Sequence, residues 1–277
     1  MSVWRYDGKR VVVSGGGGGG MGAAATTELA NLGAEIHVID LKEPPVPVAS
    51  HQVVDLRDPD ATAAAIENIG STLHALFNCA GLPGPPFSDV DTMLVNFAAM
   101  RHLAELCADR MTDGGAICSI SSGAGMGYLQ QIEKWMPLMQ TEGFAGAKAW
   151  CEANPEAIAS GYAPSKEAII LWTHYAAREF MQRDVRVNVI SPGPTDTPMM
   201  PAFEDHSGKE LVDTFTLVAG RRSTPEEQAY PMIFLNSDAA SYITGENLNT
   251  DGGMFGGIIS GQVDLAALFA DFFPQEA

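Results

Sequence analysis

Six glycines in succession, Gly15 to Gly20, stand between Val11-Val12-Val13-Ser14 and Met21-Gly22. The run Ala23-Ala24-Ala25-Thr26-Thr27-Glu28-Leu29-Ala30 follows. The β-branched residues before the glycines predict a strand at Val11 to Ser14. The alanine-rich residues after them predict a helix over Gly22 to Leu32. A glycine loop between a buried strand and a helix is the phosphate-cradling turn of a dinucleotide-binding unit. Glycine allows positive φ and a close approach of backbone to pyrophosphate. The N–H groups and dipole at the helix start favour its charge. Several registers fit so many glycines. Met21-Gly22 fixes one from the helix side, with Gly16, Gly20 and Gly22 as its glycines.

Downstream, strand and helix patterns alternate. Strands are predicted at Glu35 to Ile39, Gln52 to Val54, Leu73 to Asn78, Gly115 to Ser121, Val185 to Ile190 and Glu246 to Thr250. Helices are predicted at Pro59 to Ile69, Asp91 to Arg110, Gly161 to Arg183 and from Thr224 to about Asn236. Pro59 and Pro164 fall in first turns, where a missing N–H costs little. Thr224-Pro225-Glu226-Glu227 is an N-cap signature. Alternation implies parallel strands joined by crossovers. The expected fold is α/β: a Rossmann-type doubly wound parallel sheet of about seven strands, in a single domain over residues 1–277. Ligands are expected at the carboxyl ends of its strands. Residues 123–160 break the alternation. Leu129, Ile132, Trp135, Met136 and Met139 recur at helical spacing, interrupted by Pro137, and Phe144 to Glu152 suits a second short helix. The expectation is an inserted helical lobe. In the tail, 257–277, Leu265, Leu268, Phe269, Phe272 and Phe273 also keep helical spacing and suit packing on a neighbouring subunit.

The charge balance excludes some partners. Thirty-four acidic residues against 16 basic give a net charge of -18, which repels nucleic acid and anionic membrane. No apolar run reaches the length of a membrane span, and the N-terminus has no apolar signal core. Cys79, Cys107, Cys118 and Cys151 keep no C-x-x-C spacing and read as buried thiols in a reducing compartment. No metal cluster is apparent. The expected location is cytoplasmic.

Asp40 ends the second strand about 20 residues beyond the glycine loop, where a carboxylate accepts the adenosine ribose hydroxyls and repels a 2′-phosphate. That favours NAD; Lys42 is the one residue pointing to NADP. Tyr162 and Lys166 stand four apart, on one face of a helix. A phenol is a poor base at neutral pH, and an adjacent ammonium favours phenolate, so the pair suits proton transfer.

With Asn78-Cys79-Ala80-Gly81, Val95-Asn96, Ile120-Ser121-Ser122, Val187 to Thr197 and Asp251-Gly252-Gly253 in order, the chain resembles the short-chain dehydrogenase/reductase family over about residues 8 to 256. Gly15, where that family has threonine, is a departure. The length of the insertion makes it similar to the bacterial 3α-hydroxysteroid dehydrogenase/carbonyl reductase branch. The resemblance implies that Tyr162 exchanges a proton with the substrate oxygen and that Ser122 orients that oxygen. Lys166 would hold the nicotinamide ribose and lower the Tyr162 pKa, and Asn96 would hold a water leading to Lys166. Gly16, Gly20, Met21, Gly22, Asp40, Asp55, Leu56, Asn78, Ala80, Gly81, Pro192, Gly193, Thr195 and Thr197 would contact the cofactor. Homodimers or homotetramers are implied, with the helices at 91–110 and 161–183 at the family's interface.

The implied activity is NAD(H)-dependent interconversion of a secondary alcohol and a ketone. Ser122 and Tyr162 must meet at one oxygen, so the lobe must loop out beside the site. Met126, Tyr128, Leu129, Trp135, Met136, Met139 and Trp150 would then wall a bulky apolar substrate, such as a steroid, terpenoid or aromatic. Alternatively that stripe packs on another subunit. Met199 to Val218 is a second candidate cover. Two alternatives stay open: the same chemistry on a small polar alcohol, or a nucleotide sensor without turnover. The first wants an arginine in the site; Arg221-Arg222, the nearest, reads as a solvated turn.

Overall fold

The computed structural model describes residues 3–270. Among them, seven parallel strands form one sheet in the order β3-β2-β1-β4-β5-β6-β7. These are β1 Arg10–Ser14, β2 Glu35–Ile39, β3 Ser50–Gln52, β4 Leu73–Asn78, β5 Met111–Ile120, β6 Val185–Pro192 and β7 Asn247–Thr250. Val13 lies between Val38 of β2 and Phe77 of β4. The run Val11-Val12-Val13 is wholly buried, as a central parallel strand requires. The chain order reverses between β1 and β4, which opens a crevice at their carboxyl ends.

Helices cover both faces. α1 (Met21–Asn31) and α10 (Pro225–Asn236) close one, with Leu29, Met232 and Ile233 in its core. α2 (Pro59–Ile69), α4 (Met100–Ala108) and α7 (Tyr162–Met181) close the other around Ile66, Leu103 and Trp172. The single helix expected at 91–110 is composite. α3 (Asp89–Met93) leads into a π-helical turn, Leu94–Ala99, before α4. β3 lies two residues earlier than expected, and β5 starts earlier and ends at Ile120.

Residues 123–160 are largely helical, and most of their apolar side chains are buried in the core rather than lining the cleft. A 3₁₀ stretch (Gly123–Gln131) leads to α5 (Ile132–Met139) and α6 (Gly143–Ala153), and Pro137 does not end α5. Trp135, Leu138, Met139, Phe144 and Cys151 are buried in the same core as α4 and α7. Trp135 Nε1 donates to Glu167 Oε2 at 2.9 Å. Arg101 of α4 donates to Thr141 O and Oγ1, pinning the α5–α6 corner. Two short helices, α8 (Met200–Ser207) and α9 (Lys209–Thr214), follow β6. α11 (Met254–Ile259) and α12 (Leu265–Ala270) end the described chain. Of the five tail residues expected to pack on a neighbouring subunit, Phe272 and Phe273 lie outside the described residues. No described helix is long and apolar enough to cross a membrane.

Candidate active site

The glycine loop is specific residue by residue. A Cβ on Gly15, which has φ +69°, would lie 2.5 Å from Ala80 N. On Gly16 it would meet Thr26 Oγ1 at 2.8 Å, and on Gly17 it would strike Lys42 O. On Gly22 it would strike Gly15 O, so only glycine lets α1 approach β1 this closely. Gly20, the cap of α1, has φ −94° and faces open space. Bare backbone at a helix N-terminus, with room above it, fits a pyrophosphate. Gly15, the departure from the family pattern, is required by the close approach of the Cys79–Ala80 backbone.

Asp40 stands just past β2. Its Oδ2 accepts from Gly17 N at 2.8 Å and its Oδ1 from Lys42 N at 2.9 Å. The carboxylate therefore braces the glycine loop. Asp55 is held by Arg57, whose hydrogen bonds keep its carboxyl below the usual range. Leu56 beside it is buried.

At the other end of the crevice lies a cavity of about 290 Å³. Of the expected residues, Met21, Ala80, Gly81, Ser122, Tyr162, Lys166, Pro192, Gly193, Thr195 and Thr197 line it together. Ser122 follows β5, and its hydroxyl accepts from Ala124 N at 3.1 Å. Gly161, at φ +58°, turns the chain into α7 so that Tyr162 starts the helix. Burial pushes the Tyr162 phenol up to about 12, and a hydrogen bond with Ser122 pulls it back in part. Lys166, one turn on, is 5% exposed, and its Nζ donates to Ile120 O at 3.0 Å. Burial lowers its ammonium to about 7. The Nζ lies 5.3 Å from the centre of the Tyr162 ring. Thr195 is tied to Ser223 by a 2.8 Å hydroxyl contact.

Two expected site residues serve the scaffold with their side chains. Asn78 is buried below the crevice; its Nδ2 donates to Met100 O and Ser119 Oγ, and its Oδ1 accepts from Ser14. Asn96 sits in the π-helical turn. Its Nδ2 donates to Leu82 O and Ser165 Oγ while its Oδ1 accepts from Leu82 N, so it clamps the segment after β4 to α7. Both of its amide hydrogens are committed there.

The apolar wall comes from a different place than the lobe. Of the seven lobe residues expected to form it, Met126 alone lines the cavity; Tyr128, Met136 and Trp150 pack against the core, and Leu129 is exposed. The second candidate cover supplies the wall instead: Met199, Met200, Phe203, Leu211, Val212 and Phe215. Phe203 packs edge-on against Tyr162, with ring centroids 4.8 Å apart. Ile120, from the Ile120-Ser121-Ser122 block, also lines it, as do Leu82 and Met254, which no local signal in the sequence marked. Arg221 is a solvated ion pair with Glu227, as read, but Arg222 is not. It is 15% exposed and bound to Glu204 and Asp213.

The glycine cradle and the buried Lys166 fit a nicotinamide dinucleotide lying along the crevice. Known proteins agree. The model of the NAD dependent epimerase/dehydratase family matches residues 11–201, and that of the enoyl-(acyl carrier protein) reductase family matches 152–255. The coniferyl-alcohol dehydrogenase of Pseudomonas sp. strain HR199 is 30% identical over 230 residues, which is 82% of this chain and 89% of that protein. The 3-alpha-hydroxysteroid dehydrogenase/carbonyl reductase of Comamonas testosteroni is 29% identical over 226 residues, 74% of this chain and 88% of that one. The crystal structure of the 3-alpha-hydroxysteroid dehydrogenase from Pseudomonas sp. B-0831, complexed with NADH, matches with a TM-score of 0.76 at 26% identity. That match covers 92% of this chain and all of the other. With seven parallel strands, a glycine cradle and a Ser-Tyr-Lys cluster on the crevice, the chain belongs to the short-chain dehydrogenase/reductase family of NAD(P)-dependent oxidoreductases.

Proposed function

We propose that this enzyme interconverts a secondary alcohol and its ketone on a bulky, neutral, apolar molecule, hydroxysteroid-like, terpenoid or aromatic, with NAD(H) as its redox partner. The observation that carries this is the meeting of Ser122, Tyr162 and Lys166 at one polar end of an otherwise largely apolar cavity. Five methionines, Met21, Met126, Met199, Met200 and Met254, line that cavity and adapt to irregular apolar shapes. Apart from Lys166 the charged lining is Asp251, whose oxygens accept from Gly253 N and Phe255 N. An anionic substrate would find no arginine there. The relatives named for coniferyl alcohol and for 3α-hydroxysteroids support a ring-bearing substrate.

Gly16, Gly20, Met21 and Gly22 would hold the pyrophosphate, and Asp40 the adenosine ribose, with Asp55 and Leu56 beside the adenine. Ala80, Gly81, Pro192, Gly193, Thr195 and Thr197 would enclose the nicotinamide end, and Lys166 its ribose. When bound, the dinucleotide accepts or donates the hydride. The chain's own residues handle the oxygen. Tyr162 takes the hydroxyl proton in oxidation and returns it in reduction. Its raised pKa makes it a reluctant base, and the Lys166 ammonium, when charged, favours the phenolate. Ser122 donates to the substrate oxygen and stabilises the charge developing on it. The α8–α9 cover keeps water from the phenol.

On this reading NAD is favoured over NADP because a carboxylate just past β2, at Asp40, would accept ribose hydroxyls and repel a 2′-phosphate. Initial rates over steroidal, terpenoid, aromatic and small polyol alcohols, with NAD and NADP in parallel, test the whole reading. Turnover of ring-bearing alcohols with NAD is expected; turnover of polyols alone would overturn the substrate class. Asp40→Ala is expected to narrow the NAD/NADP ratio of kcat/KM about tenfold. The ratio is the diagnostic quantity, because Asp40 also braces Gly17. An unchanged ratio would remove the ribose assignment.

A further inference from the structure

The cover over the cavity has little packing of its own. α8 buries Met200, α9 buries no residue, and Gly208 at φ +85° joins them. Such a segment opens readily unless something else anchors it. Yet the same segment sets Phe203 on Tyr162 and turns Leu211 and Val212 to the cavity. The anchor is a residue that does not line the cavity. Arg222 Nη2 donates to Glu204 Oε1 at 2.6 Å, and its Nε donates to Asp213 Oδ1 at 2.7 Å. Its Nη1 lies 3.6 Å from Asp196 Oδ1. Glu204 follows Phe203 on α8, Asp213 follows Val212 on α9, and Asp196 separates Thr195 from Thr197. One guanidinium thus bridges three carboxylates from three segments around the site. Lys209 adds a second cation at Asp213.

We infer that Arg222 is a positioning residue, a fork-shaped clasp that holds α8 and α9 closed over the cavity and keeps Phe203 against Tyr162. A planar guanidinium can serve two carboxylates at fixed angles; an ammonium serves them less well. Without the guanidinium, Glu204 and Asp196 lose their cation, Asp213 keeps only Lys209, and the cover loosens. A bulky apolar substrate then loses its wall, whereas the glycine cradle is untouched. The kinetic consequence rests on the proposed substrate class, but the closure itself does not.

The test compares the full chain with Arg222→Gln, Arg222→Lys and Glu204→Gln. Limited proteolysis without substrate reads the closure directly. Cleavage within residues 200–215 is expected to be about tenfold faster in Arg222→Gln, intermediate in Arg222→Lys and faster within α8 in Glu204→Gln. KM for a fused-ring alcohol is expected to rise about tenfold more than KM for 2-propanol, while the NADH Kd from fluorescence titration stays within about threefold. Unchanged cleavage in all three variants would overturn the clasp. So would equal losses for both alcohols and NADH, which would make Arg222 a general stabiliser. If Arg222→Gln does not fold, Glu204→Gln and Arg222→Lys give the same two readings. A wrong substrate class would alter the KM comparison and leave the proteolysis result standing.

Discussion

Lys166 shows what burial does to a single residue. Its ammonium is lowered from 10.5 to about 7, so between those values the unfolded chain binds more protons than the folded one. Stability therefore rises with pH across that window, and the cost of a buried charge is complete below about pH 7. The thiols of Cys79, Cys107, Cys118 and Cys151, all pushed up by burial, oppose this above about pH 9. Unfolding of the cofactor-free Lys166→Met variant is expected to show the effect by difference from the parent. Its advantage should be largest below pH 7 and shrink by about 2 kcal/mol by pH 9. A difference constant with pH would mean that Lys166 titrates normally. Ser122, Tyr162, Lys166 and Thr195 were legible because their motifs are local in sequence. Phe203 and Arg222 were not. Nothing local separates Arg222 from Arg221; their roles differ only because Glu204 and Asp213 fold back onto one of them.

Among the elements, the glycine loop was legible as a cradle, but the reason for each glycine was not. Gly15 and Gly17 are required by the Ala80 backbone and by Lys42 O, contacts made by distant segments. Gly22 and Gly20 separate packing from binding. Gly22→Ala forces α1 off β1 and is expected to destabilise the cofactor-free protein by about 1–3 kcal/mol. Gly20→Ala meets open space at an ordinary φ. It should change that stability by about 1 kcal/mol or less. If Gly20 borders the proposed pyrophosphate site, its Cβ would crowd that group, so NADH binding should weaken tenfold or more, on the order of 1.4 kcal/mol. Thermal unfolding and fluorescence titration separate the two, and NADH affinity of Gly20→Ala equal to the parent's would exclude the cradle. The π-helical turn at Leu94–Ala99 gave no sequence signal, because an extra residue in one turn barely disturbs the apolar period.

For the whole molecule, alternation of strands and helices was enough to predict seven parallel strands with the site at their carboxyl ends. The direction of the lobe was not legible. An apolar stripe states that a helix is covered and leaves its partner open; here Trp135 and Met139 are buried in the core of the same chain, with Trp135 against Glu167 of α7 and Trp150 of α6. The lobe thereby buries part of the two helices at which the family resemblance places an interface. The apolar side of the cavity is instead lined from α8 and α9, whose weak packing suits the cover proposed for them. The central claim is that this assembly presents a neutral ring-bearing alcohol to Tyr162. Its most direct test is the NAD-dependent oxidation of a fused-ring secondary alcohol by the parent enzyme and by Tyr162→Phe. The phenyl ring keeps its packing on Phe203, so NADH affinity should hold. Turnover is expected in the parent and to fall by about 10²-fold or more in the variant, the usual worth of a positioned acid/base. Near-parental turnover by Tyr162→Phe would contradict the account.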